Sequence, residues 1–412
     1  MAFIDGAIPW RRRLALNQLS PKHRELNVRG VSDRIRNRAV AGTTTLSWVI
    51  IALVAVLNLI GLVMILSASS VQALTTYGSA WYVFERQFVW ALIGLAGFFV
   101  SSRLDYHVWQ RYSRLLLAIG FVGLAAVLVP GIGIEVEGAR RWIGIGSFVG
   151  FQPSEVAKVV LLVFTADVLT RRADRINETK PILVRVIGAL VVFTMLVMAE
   201  PDLATSIELC FIVVSVLIVA GVPGRALAKV FGGTALATAF LALVEPYRRQ
   251  RMLTFLHPWH DVANTGYQIS QSLIALGSGG VTGVGLGNGR AKWQFLPAAQ
   301  TDFIFAIIGE ELGLFGTLMI IGLFAVFAVV GYRVAMRAPD RFGSLLAAGV
   351  TTWVVGAAVL NIGMVTSVLP VSGVPLPFLS AGGSSLVILM IAAGILVNVA
   401  RRCEQRGADL PT

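Results

Sequence analysis

Charged residues are scarce in this sequence: Asp, Glu, Lys and Arg supply 14% of its 412 residues. A soluble domain averages about 25%, so an ordinary soluble globule is excluded. Cysteine is nearly absent, and two thiols build no disulfide framework. Histidine is rare as well, with four residues, which leaves little material for a histidine-based metal site or a Ser/His/Asp triad. Acidic residues run short of basic ones, 22 against 34, for a net charge of +12. What the chain has instead is apolar residues, 56% of the total, with a mean hydropathy of +0.78. That content excludes a disordered chain and leaves a polytopic membrane protein.

A helix needs about 20 apolar residues to cross the hydrocarbon core. Ten runs meet this need, near 47–69, 82–101, 113–130, 153–170, 182–198, 203–222, 225–243, 303–331, 343–368 and 382–401. The expected fold class is therefore an all-α polytopic membrane protein of about ten transmembrane helices, with a large extracytoplasmic segment, 244–302, between helices 7 and 8. Residues 1–45 read as a basic cytoplasmic tail without fixed structure, 46–402 as the membrane domain and 403–412 as a cytoplasmic C-terminal tail. The first run starts too late for a signal peptide, so no cleavage is expected.

The charges set the orientation. With both termini inside, 25 of the 34 Lys and Arg residues fall in the tails or on cytoplasmic loops. Nine remain: Arg86, Arg140, Arg141, Lys158, Arg248, Arg249, Arg251, Arg290 and Lys292. The basic excess is thus mostly a topology signal. No module of interleaved aromatic and basic residues accompanies it, and no nucleic-acid partner is expected. Cys210 falls mid-span and Cys403 in the inner tail, so they are not expected to pair.

Four helices begin at the outer face: spans 4, 6, 8 and 10. Such ends present free N–H groups and a partial positive charge, which anions favour. Span 4 opens with Gln152-Pro153-Ser154-Glu155-Val156-Ala157-Lys158, where Glu155 and Lys158 share a face. They read either as an ion pair that joins helices or as functional groups. Span 6 opens with Glu200-Pro201-Asp202, and span 8 follows Thr301-Asp302; either aspartate could equally be a helix cap. Glu310 and Glu311 lie deeper and need partners on other helices. The Gly-rich stretch 277–289 matches a dinucleotide fingerprint only by pattern, because no βαβ unit surrounds it. It reads as a backbone nest for an anionic headgroup or as a tight turn. His257, His260 and Asp261 make a weak metal motif.

These residues carry a family resemblance. The chain resembles the SEDS (shape, elongation, division and sporulation) proteins through Gly138-Ala139-Arg140-Arg141-Trp142-Ile143, the Gln152–Lys158 and Glu200–Thr205 stretches just described, Phe295-Leu296-Pro297-Ala298-Ala299-Gln300-Thr301-Asp302-Phe303 with Gly309-Glu310-Glu311, and Pro375-Leu376-Pro377-Phe378-Leu379-Ser380-Ala381-Gly382-Gly383-Ser384-Ser385. The stretch from Phe255 through Trp259 and Asp261 to Gln268 is closer to the division branch, FtsW, than to RodA.

The resemblance implies a peptidoglycan glycosyltransferase that polymerises lipid II at the outer face of the bacterial cytoplasmic membrane, at the division septum. It implies an FtsI-like class B penicillin-binding protein as crosslinking partner, other division proteins beside it, and membrane lipid around it. Asp302 takes the place of the family's aspartate, with the role of general base or transition-state organiser. Arg140, Arg141, Glu155, Lys158, Asp202, Arg248, Lys292, Ser384 and Ser385 are the substrate-binding candidates. A divalent cation, Mg²⁺ or Mn²⁺, is a candidate cofactor, with no ligands assigned. Some positions depart from the family pattern. Ala298 and Gln300 replace acidic and histidine residues that many relatives have before the aspartate, and Gln294 replaces another acid. Ala381 stands for a common tyrosine and Ala204 for a common glycine. The competing readings are a lipid II flippase, an elongation-type polymerase and an inactive scaffold.

Overall fold

The computed structural model describes residues 21–136, 139–145, 149–173, 179–244, 255, 257–264 and 266–408. In chain order the elements are α1 (Pro21–Tyr77), α2 (Tyr82–Arg103), α3 (His107–Arg111), α4 (Ser113–Leu128), β1 (Gly133–Val136), β2 (Ala139–Ile145), β3 (Val149–Phe151), α5 (Pro153–Arg171), α6 (Thr179–Ala199), α7 (Leu203–Val219), α8 (Gly224–Val244), α9 (Tyr267–Ser278), α10 (Ile304–Arg337), α11 (Arg341–Val365) and α12 (Gly383–Ala408).

Each apolar run coincides with a helix, as lipid requires: a chain in hydrocarbon must satisfy its own backbone. Among the described residues, α1, α2, α6, α10, α11 and α12 contain stretches long and apolar enough to cross a membrane. The shorter α4 and α7 are apolar throughout. The first helix starts at Pro21, so helix reaches into the basic tail that was expected to lack fixed structure.

Burial separates centre from rim. Within their most apolar stretches α11 and α12 are 72% and 78% buried by protein, against 17% for α2. Helix α5 carries Glu155, Lys158, Asp167 and Arg171, yet most of its residues are buried. Protein rather than lipid surrounds it, which is the condition under which charges persist at membrane depth.

The segment 131–152, read as a loop in an all-α chain, folds into a three-stranded antiparallel sheet in the order β1-β2-β3. Its register pairs Gly133 with Ile143 and Ile143 with Phe151, with a bulge between Ile134 and Glu135. The strands are three to seven residues long. Their β-branched alternation is the local signal.

Polar contacts tie one end of the bundle together. Arg402 bonds Asp105 at 2.8 Å, Asn398 receives Tyr106 N–H at 3.1 Å, and Arg341 donates to the Ala220 carbonyl at 2.8 Å. Ser113 and Arg171 both donate to Asp167, each at 2.7 Å. Asp340 caps α11 through Gly343 N–H at 2.9 Å and also accepts from the buried Tyr106 hydroxyl. Among the described residues both cysteines are free.

Asp340→Ala removes the cap and strands a buried hydroxyl. It is expected to lower stability by about 2 kcal/mol, read as a fall in the thermal midpoint in detergent, and Asp340→Asn is expected to recover part of the loss.

Candidate functional site

The other end of the bundle gathers the starts of α5, α7, α10 and α12. Gln152, the residue before α5, joins three of them: its N–H donates to Ser384 Oγ of α12 at 3.3 Å, and its amide donates to Ser154 Oγ at 2.9 Å and Asp202 Oδ2 at 3.2 Å. Asp202 caps α7, accepting Thr205 N–H at 3.0 Å and the Thr205 hydroxyl at 2.8 Å.

The stretch after α11 folds over the start of α10. Ser380 Oγ donates to the Thr301 carbonyl at 2.6 Å, and Ala381 N–H donates to the Gln300 carbonyl at 2.8 Å. Asn361 donates to the carbonyls of Asp302 and Val374, both at 2.7 Å. Phe303 occupies the N-cap position of α10 and makes no side-chain cap bond. Asp302 therefore stands one residue outside the position where a cap was expected, half-buried. A methyl group built on Gly373 would sit 3.6 Å from Asp302 Oδ2.

One turn into α5, Lys158 is buried between two carboxylates, Glu155 at 2.9 Å and Glu208 of α7 at 2.6 Å. The Trp353 ring lies 5.4 Å from its ammonium. Glu155 Oε2 has no hydrogen-bond partner.

A second polar cluster surrounds a break in α10 at Gly313, whose φ is 66° and ψ −161°. The Gly-rich stretch inserts there. Val284 and Gly285 N–H groups donate to the carbonyls of Glu310 and Glu311 at 3.0 and 3.1 Å, while Leu314 and Phe315 donate to Gly280 and Val281 at 3.0 and 3.3 Å. These four bonds keep the backbone satisfied across the break. A Cβ on Gly279, Gly283 or Gly313 would lie within 2.3 Å of backbone atoms. The stretch is thus neither a free nest nor a simple turn. The residues that follow the stretch hold anions of the chain's own: Glu310 accepts Arg290 N–H at 2.7 Å and Ala291 N–H at 3.1 Å. Glu311 accepts the Ser67 hydroxyl at 2.7 Å and pairs with Lys292 at 3.4 Å, and Lys292 also donates to the Gly287 carbonyl.

A family model described as cell cycle protein, covering FtsW, RodA and SpoVE, matches residues 47–405. The chain belongs to the FtsW/RodA/SpoVE family. It is 40% identical to stage V sporulation protein E of Bacillus subtilis over 83% of this chain and 93% of that protein. It is 42% identical to the probable peptidoglycan glycosyltransferase FtsW of Mycobacterium tuberculosis, over 88% of this chain and 69% of that protein. Among solved structures it resembles a chain from work on the structural coordination of polymerization and crosslinking by a peptidoglycan synthase complex, with TM-score 0.70, 28% identity and coverage of 86% and 98%. It also resembles the rod shape determining protein RodA of Thermus thermophilus, with TM-score 0.63, 26% identity and coverage of 86% and 96%.

In this FtsW/RodA/SpoVE chain the candidate residues separate. Asp202 and the buried Ser384 meet through Gln152, and hydrogen bonds through Gln300 and Thr301 connect the stretch before Ser384 to the loop of Asp302. Ser385 lies half-buried at the start of α12. Glu155 and Lys158 lie beneath them on α5, bound to each other. Lys292 belongs to the α10 break instead. Arg140 pairs with Glu135 at 3.2 Å on the hairpin, and Arg141 donates to the carbonyls of Glu200 and Pro201 at 2.9 and 2.6 Å. These bonds brace the sheet on the α6–α7 turn. Arg248 lies outside the described residues. Among the described residues no group of three or more His, Cys, Asp or Glu side chains forms a metal cage.

Sequence reasoning left out Glu208, Asn361 and Gly373 as site residues. A lone carboxylate on an apolar helix was the available signal for Glu208, since it demands a cation nearby.

Glu200 is fully buried and neither of its carboxyl oxygens has a hydrogen-bond partner. Burial foremost, with the Asp202 charge beside it, pushes its pKa up from 4.5 to about 8 against the pull of Arg141. An acid with a raised folded-state pKa favours folding while protonated. That contribution is complete below pH 4.5 and is lost as pH rises through about 8. Glu200→Gln is expected to flatten the fall in thermal midpoint over that window. Lys158→Met, which strands two buried carboxylates, is expected to destabilise by roughly 3–5 kcal/mol, measured as loss of monodisperse protein in detergent. Glu208→Gln leaves Glu155 paired and is expected to cost less.

Proposed function

We propose that this protein is a peptidoglycan glycosyltransferase that polymerises lipid II at the outer face of the cytoplasmic membrane, during septal wall synthesis. The observation that carries the reading is the placement of Asp302: a half-buried carboxylate at the start of α10, on a loop tied to the starts of α5, α7 and α12. Similarity to relatives named as probable peptidoglycan glycosyltransferases, among them FtsW of Mycobacterium tuberculosis, supports the activity.

The chemistry follows from the donor. The acceptor sugar hydroxyl attacks the anomeric carbon of the lipid-linked donor, and the bond from that carbon to the pyrophosphate oxygen breaks. Asp302 takes the hydroxyl proton as general base. The leaving group is a lipid pyrophosphate, which needs no acid to protonate it, so a second carboxylate is not required. Helix N-termini stabilise the negative charge that develops there. Lys158 and Lys292 are engaged by carboxylates. Their role in this reading is to hold the helices that present those N-termini, and they are not direct pyrophosphate ligands.

The same pairing disfavours a flippase, which needs a polar path: Lys158 and Lys292 are buried against carboxylates instead of lining one. The resemblance to a chain of a peptidoglycan synthase complex supports a crosslinking partner, taken here to be a class B penicillin-binding protein. The basic end of the bundle faces the cytoplasm in this reading.

Asp302→Asn, purified with the crosslinking partner, is expected to lose lipid II polymerisation by at least about 100-fold while folding and partner binding persist. Normal glycan product from this variant would overturn the assignment.

A further inference from the structure

Asn361 lies in the last turns of α11, with 0% of its surface exposed. Its amide nitrogen spans two main chains that are far apart in sequence, donating at 2.7 Å to both the Asp302 and Val374 carbonyls. Two carbonyl acceptors at that distance admit only the NH₂ end of the side chain, which fixes the orientation of the amide. The other end, Oδ1, is buried and has no hydrogen-bond partner. An orphaned buried acceptor is unfavourable, so this asparagine is held for its donors.

The two clamped carbonyls frame one spot. Val374 follows Gly373, whose φ of +73° lies in the left-handed region. A methyl group on Gly373 would stand 3.6 Å from Asp302 Oδ2. Asn361 thus ties the backbone that carries the carboxylate to the 373–374 turn, which packs beside that carboxylate.

We propose that Asn361 is a positioning residue for glycosyl transfer: it locks the main chain of Asp302 to the 373–374 turn and so fixes the direction in which the carboxylate meets the acceptor hydroxyl. This rests on the role given to Asp302 above.

The test uses the purified full-length chain with its crosslinking partner and lipid II. Asn361→Asp has nearly the same shape but no donor when ionised. It is expected to lower kcat by about 10- to 100-fold at neutral pH, with KM within about twofold of wild type. Its activity relative to wild type at the same pH is expected to recover in part as the pH falls, because a protonated carboxyl restores one donor. Asn361→Leu is expected to lose kcat at every pH.

A merely structural role would reduce the folded yield without moving kcat per folded molecule or the pH profile. Wild-type kcat and pH profile from folded Asn361→Asp would overturn the proposal. Failure of both position-361 variants to fold would also overturn it, because the residue would then be structural. Asp302→Asn in the same assay separates the two readings. If it is inactive while Asn361→Asp behaves as wild type, only the present proposal falls; if Asp302→Asn is active, the assignment of Asp302 falls first.

Discussion

A charge inside a membrane protein persists only where the protein itself answers it, and Lys158 is where this chain meets that demand most fully. Its ammonium joins Glu155 on its own helix to Glu208 on α7, with Trp353 of α11 alongside. Helices α5, α7 and α11 therefore meet around a polar point that lipid could not solvate. The starts of α5 and α7 are placed by the same contact, and with them Gln152 and Asp202.

Above that point α5, α7, α10 and α12 are joined by a mesh of single hydrogen bonds. Ser384, Gln152 and Asp202 link α12, α5 and α7, while Ser380 and Asn361 hold the approach to α10. The difference suits the two depths. A buried charge needs full pairing, whereas helix starts at a surface need only their N–H groups directed and their loops fixed.

How much of this was legible in the sequence depended on the range of the interaction. Helix positions were legible because twenty apolar residues leave few alternatives. The hairpin of Arg140 and Arg141 was not, since strands of three to seven residues vanish beside runs of that length. Asp302 was found through its motif, and Asp202 through its place before an apolar run, where a cap belongs. Lys158 was found together with Glu155, one turn away, but its second partner was not, because Glu208 lies 50 residues off; Lys292 was found by charge, but Ser67 lies 225 residues from it. Asn361 gave no signal at all: one amide near a helix end says nothing about two carbonyls it will later meet. The glycines of 277–289 signalled close approach, but the surface they approach exists only once α10 is broken at Gly313.

That break divides α10 unequally. The short limb carries Asp302 at its head and is tied by Asn361 and the glycine stretch, while the long limb runs on to Arg337. Four bonds to a neighbouring stretch of chain satisfy the backbone at the break. The helix is spliced there instead of being continuous, and the glycine stretch bridges its two limbs beside the covalent chain.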